Sequence, residues 1–177
     1  MTAVTIEESG MSFGPFLRED CLDLESSDLF QRIGRGVKIA EMAIVRPMKA
    51  GPALWIIEAK SSSPRTGTGE SGERFDHFIE EIRGKLWNAL DLFFAAAVGR
   101  HGDARESLPS SIATLPLADV QVRLVLVING HQPEWCAPVQ DALRQVLLPV
   151  VKTYALGPNA VTVIDDRKAR ALRLVSG

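Results

Sequence analysis

The sequence predicts a single α/β domain with a mixed central β-sheet, an N-terminal β-hairpin motif and flanking helices. Three observations support this prediction. The chain has 177 residues, of which 46% are hydrophobic and 24% charged, which suits one domain with a well-covered core. Strand-like and helix-like patterns follow each other along the chain. Two strand-like segments, separated by a connector rich in proline and glycine, precede the first long helix.

The N-terminal segment predicts only short elements. Residues 1–20 are expected to form a mobile end followed by a strand at Ser12–Leu17. Residues 26–28 (Ser-Ser-Asp) are typical of a helix N-cap, so a short helix is predicted to follow and to end at Gly34 and Gly36.

The next elements are a hairpin and a long helix. Strands are predicted at Val37–Arg46 and Ala53–Ser61, and the connector Pro47–Pro52 predicts a rather long loop between them. A polar, glycine-rich loop then leads into Glu73–Val98, where apolar residues recur three and four positions apart, as on one face of a helix.

The last third of the chain predicts a loop, a strand, a helix and a final strand, at residues 101–118, Val120–Ile128, Pro138–Tyr154 and Ala160–Ile164. The nearly continuous apolar run of the first of these strands is typical of a strand that is covered on both faces. Pro149 is expected to kink the second helix or end it early.

Composition limits the classes of function. The net charge is −2 and the pI about 5.9, so nucleic-acid binding would need a local positive patch. The first residues show no signal-peptide pattern. Cys21 and Cys136 have no metal-ligand spacing and are predicted to be free thiols, which indicates a reducing, cytoplasmic location.

The hairpin carries the candidate site. Side chains alternate faces along a strand, so Glu58 and Lys60 share a face with the apolar residues before them. If the hairpin closes symmetrically, Val45 faces Leu54 and Glu41 faces Glu58, with Cβ atoms roughly 5 Å apart. Two carboxylates so close on an apolar face need a positive partner, and Mg²⁺ prefers oxygen ligands of this kind.

These residue types suit hydrolysis of a phosphodiester. A divalent cation held by Glu41 and Glu58 would polarise a phosphoryl oxygen and acidify a bound water. Lys60 would orient that water or stabilise the negative charge of the transition state. The structural alternative is an exposed strand edge with alternating charge, but the apolar lead-in and the second acid favour the functional interpretation.

The order of these elements resembles the PD-(D/E)xK nuclease superfamily, whose fold is restriction-endonuclease-like, over about residues 20–130. IIEAK supplies Glu58 and Lys60 of its second motif, and KIAEMAIV supplies Glu41 of its first. Glu41 replaces the usual aspartate, and Ala40 stands where the proline would be. Glu25 matches best the acid that many members carry on the preceding helix. Residues 134–177 add a helix and a strand to this core.

The resemblance implies Mg²⁺- or Mn²⁺-dependent cleavage of nucleic acid, with DNA favoured over RNA, in restriction, repair or mobile-element defence. It also implies action as a homodimer or beside a larger protein partner, because one active site cuts one strand. Basic residues are candidates for contacting the substrate: Lys38, Arg65, Arg74 and Lys85. The alternative is a catalytically inactive member of the same fold that binds nucleic acid or protein.

Residues 61–72 and the C-terminal half add further candidates. Gly67–Gly72 satisfies GxGxxG but begins well after the strand end, so a flexible loop is favoured over a dinucleotide site. A small-ligand binder that uses this loop is a third alternative. His131 follows a predicted strand, where ligands often bind, and Trp135 could stack on a base. Residues 165–166 (Asp-Asp) are predicted to cap a helical turn.

Overall fold

A computed structural model describes residues 2–177, and Met1 lies outside the described residues. The strands are β1 Ala3–Glu8, β2 Met11–Leu17, β3 Cys21–Asp23, β4 Met42–Met48, β5 Gly51–Lys60, β6 Gln121–Ile128 and β7 Val161–Asp165. The α-helices are α1 Asp28–Ile33, α2 Glu70–Ala97, α3 Ser110–Ala113, α4 Pro133–Thr153 and α5 Asp166–Ala171. Short 3-10 turns lie at Arg18–Asp20 and Gly102–Ser107.

Five strands form one mixed sheet in the order β3-β4-β5-β6-β7. Pairing is antiparallel from β3 to β5 and parallel from β5 to β7. The predicted α/β class and mixed sheet are therefore confirmed. The predicted mobile end is wrong, because Ala3–Glu8 pairs with β2 in a separate two-stranded hairpin.

Helices α2 and α4 cover one face of the sheet. Leu54 and Ile56 of β5 pack on that face in one core cluster with Ile82 and Leu86 of α2. The residue that alternates with them, Ile57, packs on the other face with residues of the β1–β2 hairpin and α5. Because side chains alternate along β5, Glu58 faces the helices.

The β4–β5 hairpin has the predicted register but not the predicted loop. Val45 pairs with Leu54 and Ala43 with Ile56. The strands continue to Met48 and Gly51, so the connector is a two-residue turn. Gly51 has φ +114°, a conformation that glycine adopts without strain. The predicted strand over Val37–Arg46 also began too early, since β4 begins at Met42.

Two segments of the second half of the chain differ from the predictions. The predicted loop at residues 101–118 contains a 3-10 turn and α3. Helix α4 begins at Pro133, five residues earlier than predicted, and runs through Pro149 to Thr153, so of the two effects expected of Pro149 the early end does not occur. Leu147 and Val150 are buried on either side of Pro149, and this packing holds the helix where the proline removes one backbone hydrogen bond.

The N-caps of α1 and α5 agree with the prediction. Ser27 Oγ accepts a hydrogen bond from Phe30 N–H at 3.2 Å, and Asp165 Oδ1 accepts one from Lys168 N–H at 2.7 Å. Both caps satisfy a donor at the first turn of a helix. The capping role of Asp165 therefore accounts for its burial without a metal.

Both cysteines are buried free thiols, as predicted. Burial raises the pKa of Cys21 to about 12 and that of Cys136 to about 11. Both side chains are therefore protonated and unreactive near neutral pH. Among residues 2–177, no helix combines the length and the apolar character that crossing a membrane requires.

Candidate active site

The two acids of the hairpin meet under helix α2. Glu58 is fully buried on β5. Glu41 lies one residue before β4, where its N–H donates to the Ile57 carbonyl at 3.1 Å and its own carbonyl accepts from Leu24 N–H at 2.9 Å. The backbone of Glu41 is thus held from both sides, one residue beyond the last β4–β5 pair, which joins Met42 and Ile57.

A lysine from α2 joins the two carboxylates. Lys85 Nζ donates to Glu58 Oε1 at 2.9 Å and to Glu41 Oε1 at 3.3 Å. On the other side of Glu58, Lys60 Nζ lies 3.3 Å from the same oxygen and donates to Glu81 Oε1 at 3.1 Å. Glu41, Lys85, Glu58, Lys60 and Glu81 form one chain of alternating charge, named here the carboxylate–lysine network.

Burial, hydrogen bonds and neighbouring charges shift the pKa values of the network. Burial raises the pKa of Glu58 to about 7 although Lys85 opposes this shift, and burial also raises the pKa of Glu41. Burial alone would lower the pKa of Lys85, but its hydrogen bond to Glu58 and the charges of both carboxylates raise it. The hydrogen bond from Lys60 lowers the pKa of Glu81.

One oxygen of the network has no partner. Glu58 Oε2 is buried and accepts no hydrogen bond from any residue between 2 and 177. A buried carboxylate oxygen without a donor or cation destabilises the folded state, so such atoms are uncommon and often mark a functional site. This oxygen offers a ligand position that the protein itself does not use.

The raised pKa of Glu58 leads to a pH-dependent prediction. Between its ordinary value of 4.5 and about 7, the folded protein binds this proton more tightly than the unfolded chain. Relative to Glu58→Gln, the wild-type free energy of unfolding is therefore expected to fall as pH rises through that window, by on the order of 3 kcal/mol. Urea unfolding of both proteins across the window measures this difference, and a difference that does not change with pH would contradict the prediction.

No family model, curated protein or solved structure matches this chain. The resemblance to the nuclease superfamily therefore depends on Glu41, Glu58 and Lys60, and the structure brings these three residues together.

Glu25 lies apart from the predicted helical position. It is exposed and precedes α1 by three residues, so Glu25 does not lie on that helix, whose first residue is the acid Asp28. It lines a cavity of about 300 Å³ together with Glu8, Asp23 and Glu41. After burial, the negative charges of Glu25 and Glu8 contribute to the raised pKa of Glu41. This side of the site repels a polyanion, so a nucleic acid would have to approach from the side of the lysines.

The four basic residues predicted to contact substrate do not lie together in the structure. Lys85 lies between two carboxylates instead, because its position beside the apolar stripe of α2 points it toward the sheet. Lys38 is exposed beside α2, where its carbonyl accepts from Asn88 Nδ2 at 2.7 Å. Arg74 is an exposed partner of Glu70. Arg65 lies over the ring of Trp135.

Lys85 was predicted as a substrate contact, whereas its ion pairs with the hairpin acids and the ion pair of Glu81 with Lys60 were not predicted. The two residues are four positions apart and therefore lie on the same side of the helix. They flank Ile82 and Leu86, which face the sheet. That spacing places the two side chains next to each other along α2, but it does not fix the rotation of the helix that brings them to the hairpin.

Proposed function

We propose that this protein hydrolyses phosphodiester bonds of nucleic acid, with DNA favoured over RNA, and depends on Mg²⁺ or Mn²⁺. The observation that carries the proposal is the convergence of Glu41, Glu58 and Lys60 at one partly open point, with a buried Glu58 oxygen that lacks a partner. The resemblance to PD-(D/E)xK nucleases supports the same reaction through the same three residues.

The residues present fit a hard divalent cation. Within residues 2–177, no group of three or more His, Cys, Asp and Glu side chains could hold a metal. The site therefore offers two side-chain ligands at most, and these would be Glu41 and Glu58, which share Lys85. Mg²⁺ is commonly held by one or two carboxylates, with waters and substrate phosphates completing its shell. When bound, the cation would supply Lewis acidity toward a phosphoryl oxygen and a water of lowered pKa.

Lys60 would act directly on the reacting group. Its side chain is 24% exposed, whereas that of Glu58 is fully buried, so its ammonium group borders solvent. Glu81 and Glu58 hold this ammonium group from two sides. From there it can donate to a phosphoryl oxygen as negative charge develops or orient the attacking water.

Lys85 would compete with the metal. Its ammonium group neutralises the two carboxylates that would bind the cation. Metal binding would therefore require Lys85 to withdraw from Glu58, and this requirement lowers the affinity of the site for the metal. Without a metal, Lys85 compensates the charges of both acids. Loss of one ammonium contact would be offset by the divalent charge, for which the unpartnered oxygen of Glu58 is available as a ligand.

The bridge made by Lys85 favours a second candidate function, that of a catalytically inactive scaffold. In that case the carboxylate–lysine network is structural and complete without a metal, and the protein binds nucleic acid or another protein. The two candidates differ in one respect: only the nuclease binds a divalent cation at Glu58.

We place the enzyme in the cytoplasm, as the two free thiols indicate. Its pathway would be restriction, repair or defence against mobile elements. It would act as a homodimer or beside a larger protein partner, because one site cuts one strand.

A cleavage panel tests the proposal. Single-stranded, duplex and branched DNA and RNA are incubated with the wild type and Glu58→Gln in Mg²⁺, in Mn²⁺ and in chelator. The proposal predicts cleavage of at least one DNA substrate with a metal, and none with chelator or with Glu58→Gln. No cleavage of any substrate in either metal would favour the scaffold.

A further inference from the structure

A second cavity, of about 160 Å³, lies next to the network at the carboxyl ends of two parallel strands. Ser63, which lines it, lies three residues beyond Lys60. The opposite wall begins at His131, two residues beyond Asn129, whose N–H donates to the Lys60 carbonyl at 2.9 Å. Ligands commonly bind in open α/β sheets at this end of the strands. The cavity is therefore close enough to share a substrate with Lys60.

The polar groups of this cavity come from the loop after β5, the loop after β6 and helix α4. Ser63 Oγ and His131 Nε2 lie 2.9 Å apart and form a hydrogen bond. The Arg65 guanidinium lies 4.6 Å from the centre of the Trp135 ring, and the His131 ring meets the same ring edge-on at 5.3 Å. Arg65 forms no ion pair with any residue between 2 and 177. Its charge is therefore available to a ligand.

The other residues that line the cavity are mostly apolar, and one of them, Glu134, carries a carboxylate. Phe75, Pro138 and Val139 line the cavity together with Trp135, which is 36% exposed. Glu134 is exposed and also lines it, so a ligand must favour Arg65 and keep its negative charge away from Glu134. An anion joined to a flat apolar group satisfies both kinds of wall.

We propose that this cavity binds the phosphate of an unpaired nucleotide, in the strand that the carboxylate–lysine network cleaves. This inference rests on the proposed function. The fork of donors on Arg65 matches the oxygens of a phosphate, and the hydrogen-bonded pair of Ser63 and His131 has one further donor available to it. The base stacks against Trp135, which requires it to be unpaired. The preferred substrate is therefore a strand with a single-stranded segment or end.

The charges around His131 agree with an anion site. Burial and then the positive charge of Arg65 lower the pKa of His131, while Asp165 opposes the shift. Glu134 on α4 adds a second carboxylate nearby. The imidazole is thus neutral near pH 7 and has one N–H to donate. A phosphate bound beside it would stabilise the protonated form and strengthen the contact.

The test uses the full chain in chelator, so neither metal nor cleavage enters it. The probe is deoxythymidine 5′-monophosphate, titrated while proton NMR follows the His131 C2–H and the Trp135 indole N–H. Both signals are expected to shift, and Arg65→Ala is expected to weaken binding by about 10-fold, as loss of a charge-assisted hydrogen bond does. Arg105→Ala, which removes an exposed arginine elsewhere, is the matched control and leaves binding unchanged.

Two further arms distinguish the source of the phosphate. Thymidine, which has no phosphate, is expected to leave both signals in place, and inorganic phosphate is expected to bind more weakly than the nucleotide. Equal binding of inorganic phosphate, or binding of thymidine alone, would overturn the inference. His131→Asn repeats the test should Arg65→Ala disturb the packing of Trp135. Because the readout is metal-free, a subsite that fails and a nuclease that fails give different results.

Discussion

Replacing Lys85 by methionine is expected to lower the free energy of unfolding by about 3–5 kcal/mol well above neutral pH, where both carboxylates are ionised, which is the cost of removing one partner from a buried ion pair. Methionine retains most of the volume but leaves Glu41 and Glu58 close together without the ammonium group between them. Lys60 still contacts Glu58, so Glu41 loses the larger share of its compensation. Urea denaturation of the variant and the wild type measures the loss.

The same variant has an internal check and a matched control. Lys85 lowers the pKa of Glu58, so without it this carboxylate takes up a proton at a higher pH than in the wild type, and the loss is expected to shrink as pH falls toward about 7. Lys152→Met, an exposed lysine on helix α4, is expected to change stability by less than about 0.5 kcal/mol. Equal effects of the two substitutions at high pH would mean that Lys85 does not stabilise the buried carboxylates.

Replacing Lys60 by alanine is expected to lower the rate of metal-dependent cleavage by about 10²- to 10⁴-fold, the usual range for a group that acts on protons or charge in the transition state. Lys60 borders solvent, whereas Lys85 is enclosed by the acids. Its loss removes the ammonium group that can reach a phosphate, while Lys85 continues to neutralise Glu58. Single-turnover cleavage with the metal in excess gives the rate.

Two comparisons make the Lys60 result specific. Lys152→Ala is expected to cleave at the wild-type rate, because that lysine is exposed on α4 and belongs to no ion pair of residues 2–177. Thermal unfolding of Lys60→Ala checks that the variant is folded. Cleavage at an undiminished rate by the folded variant would exclude Lys60 from the chemistry and would point to a contaminating nuclease.

The pairing of the hairpin could be predicted from the sequence because only one symmetric closure brings both acids onto the apolar face. Symmetric closure places Val45 opposite Leu54 whatever the length of the turn, because a symmetric change in loop length preserves every residue pair. The turn itself was predicted to be too long, because Pro47 and Pro52 were expected to stop the strands. At the exposed tip they pair with each other instead, where a missing backbone donor costs little.

The bridging role of Lys85 could not be predicted in this way. The apolar periodicity of α2 gives the direction of its buried face but not the rotation of the helix over the sheet, which depends on how its side chains pack there. A rotation of one position decides whether Lys85 reaches solvent or the acids. The place of Glu25 was uncertain for a related reason, since it lies in the connection between β3 and α1, which has no periodicity to orient it.

The central claim is that Glu41 and Glu58 are the ligands of a divalent cation, and Mn²⁺ binding followed by electron paramagnetic resonance tests it most directly. The free Mn²⁺ signal is titrated against the wild type, Glu58→Gln and Lys85→Met. The nuclease proposal predicts one site per chain, lost in Glu58→Gln and tighter in Lys85→Met, where no ammonium group competes for the carboxylates. Absence of binding in both the wild type and Lys85→Met would contradict the claim and leave the network as a structural element.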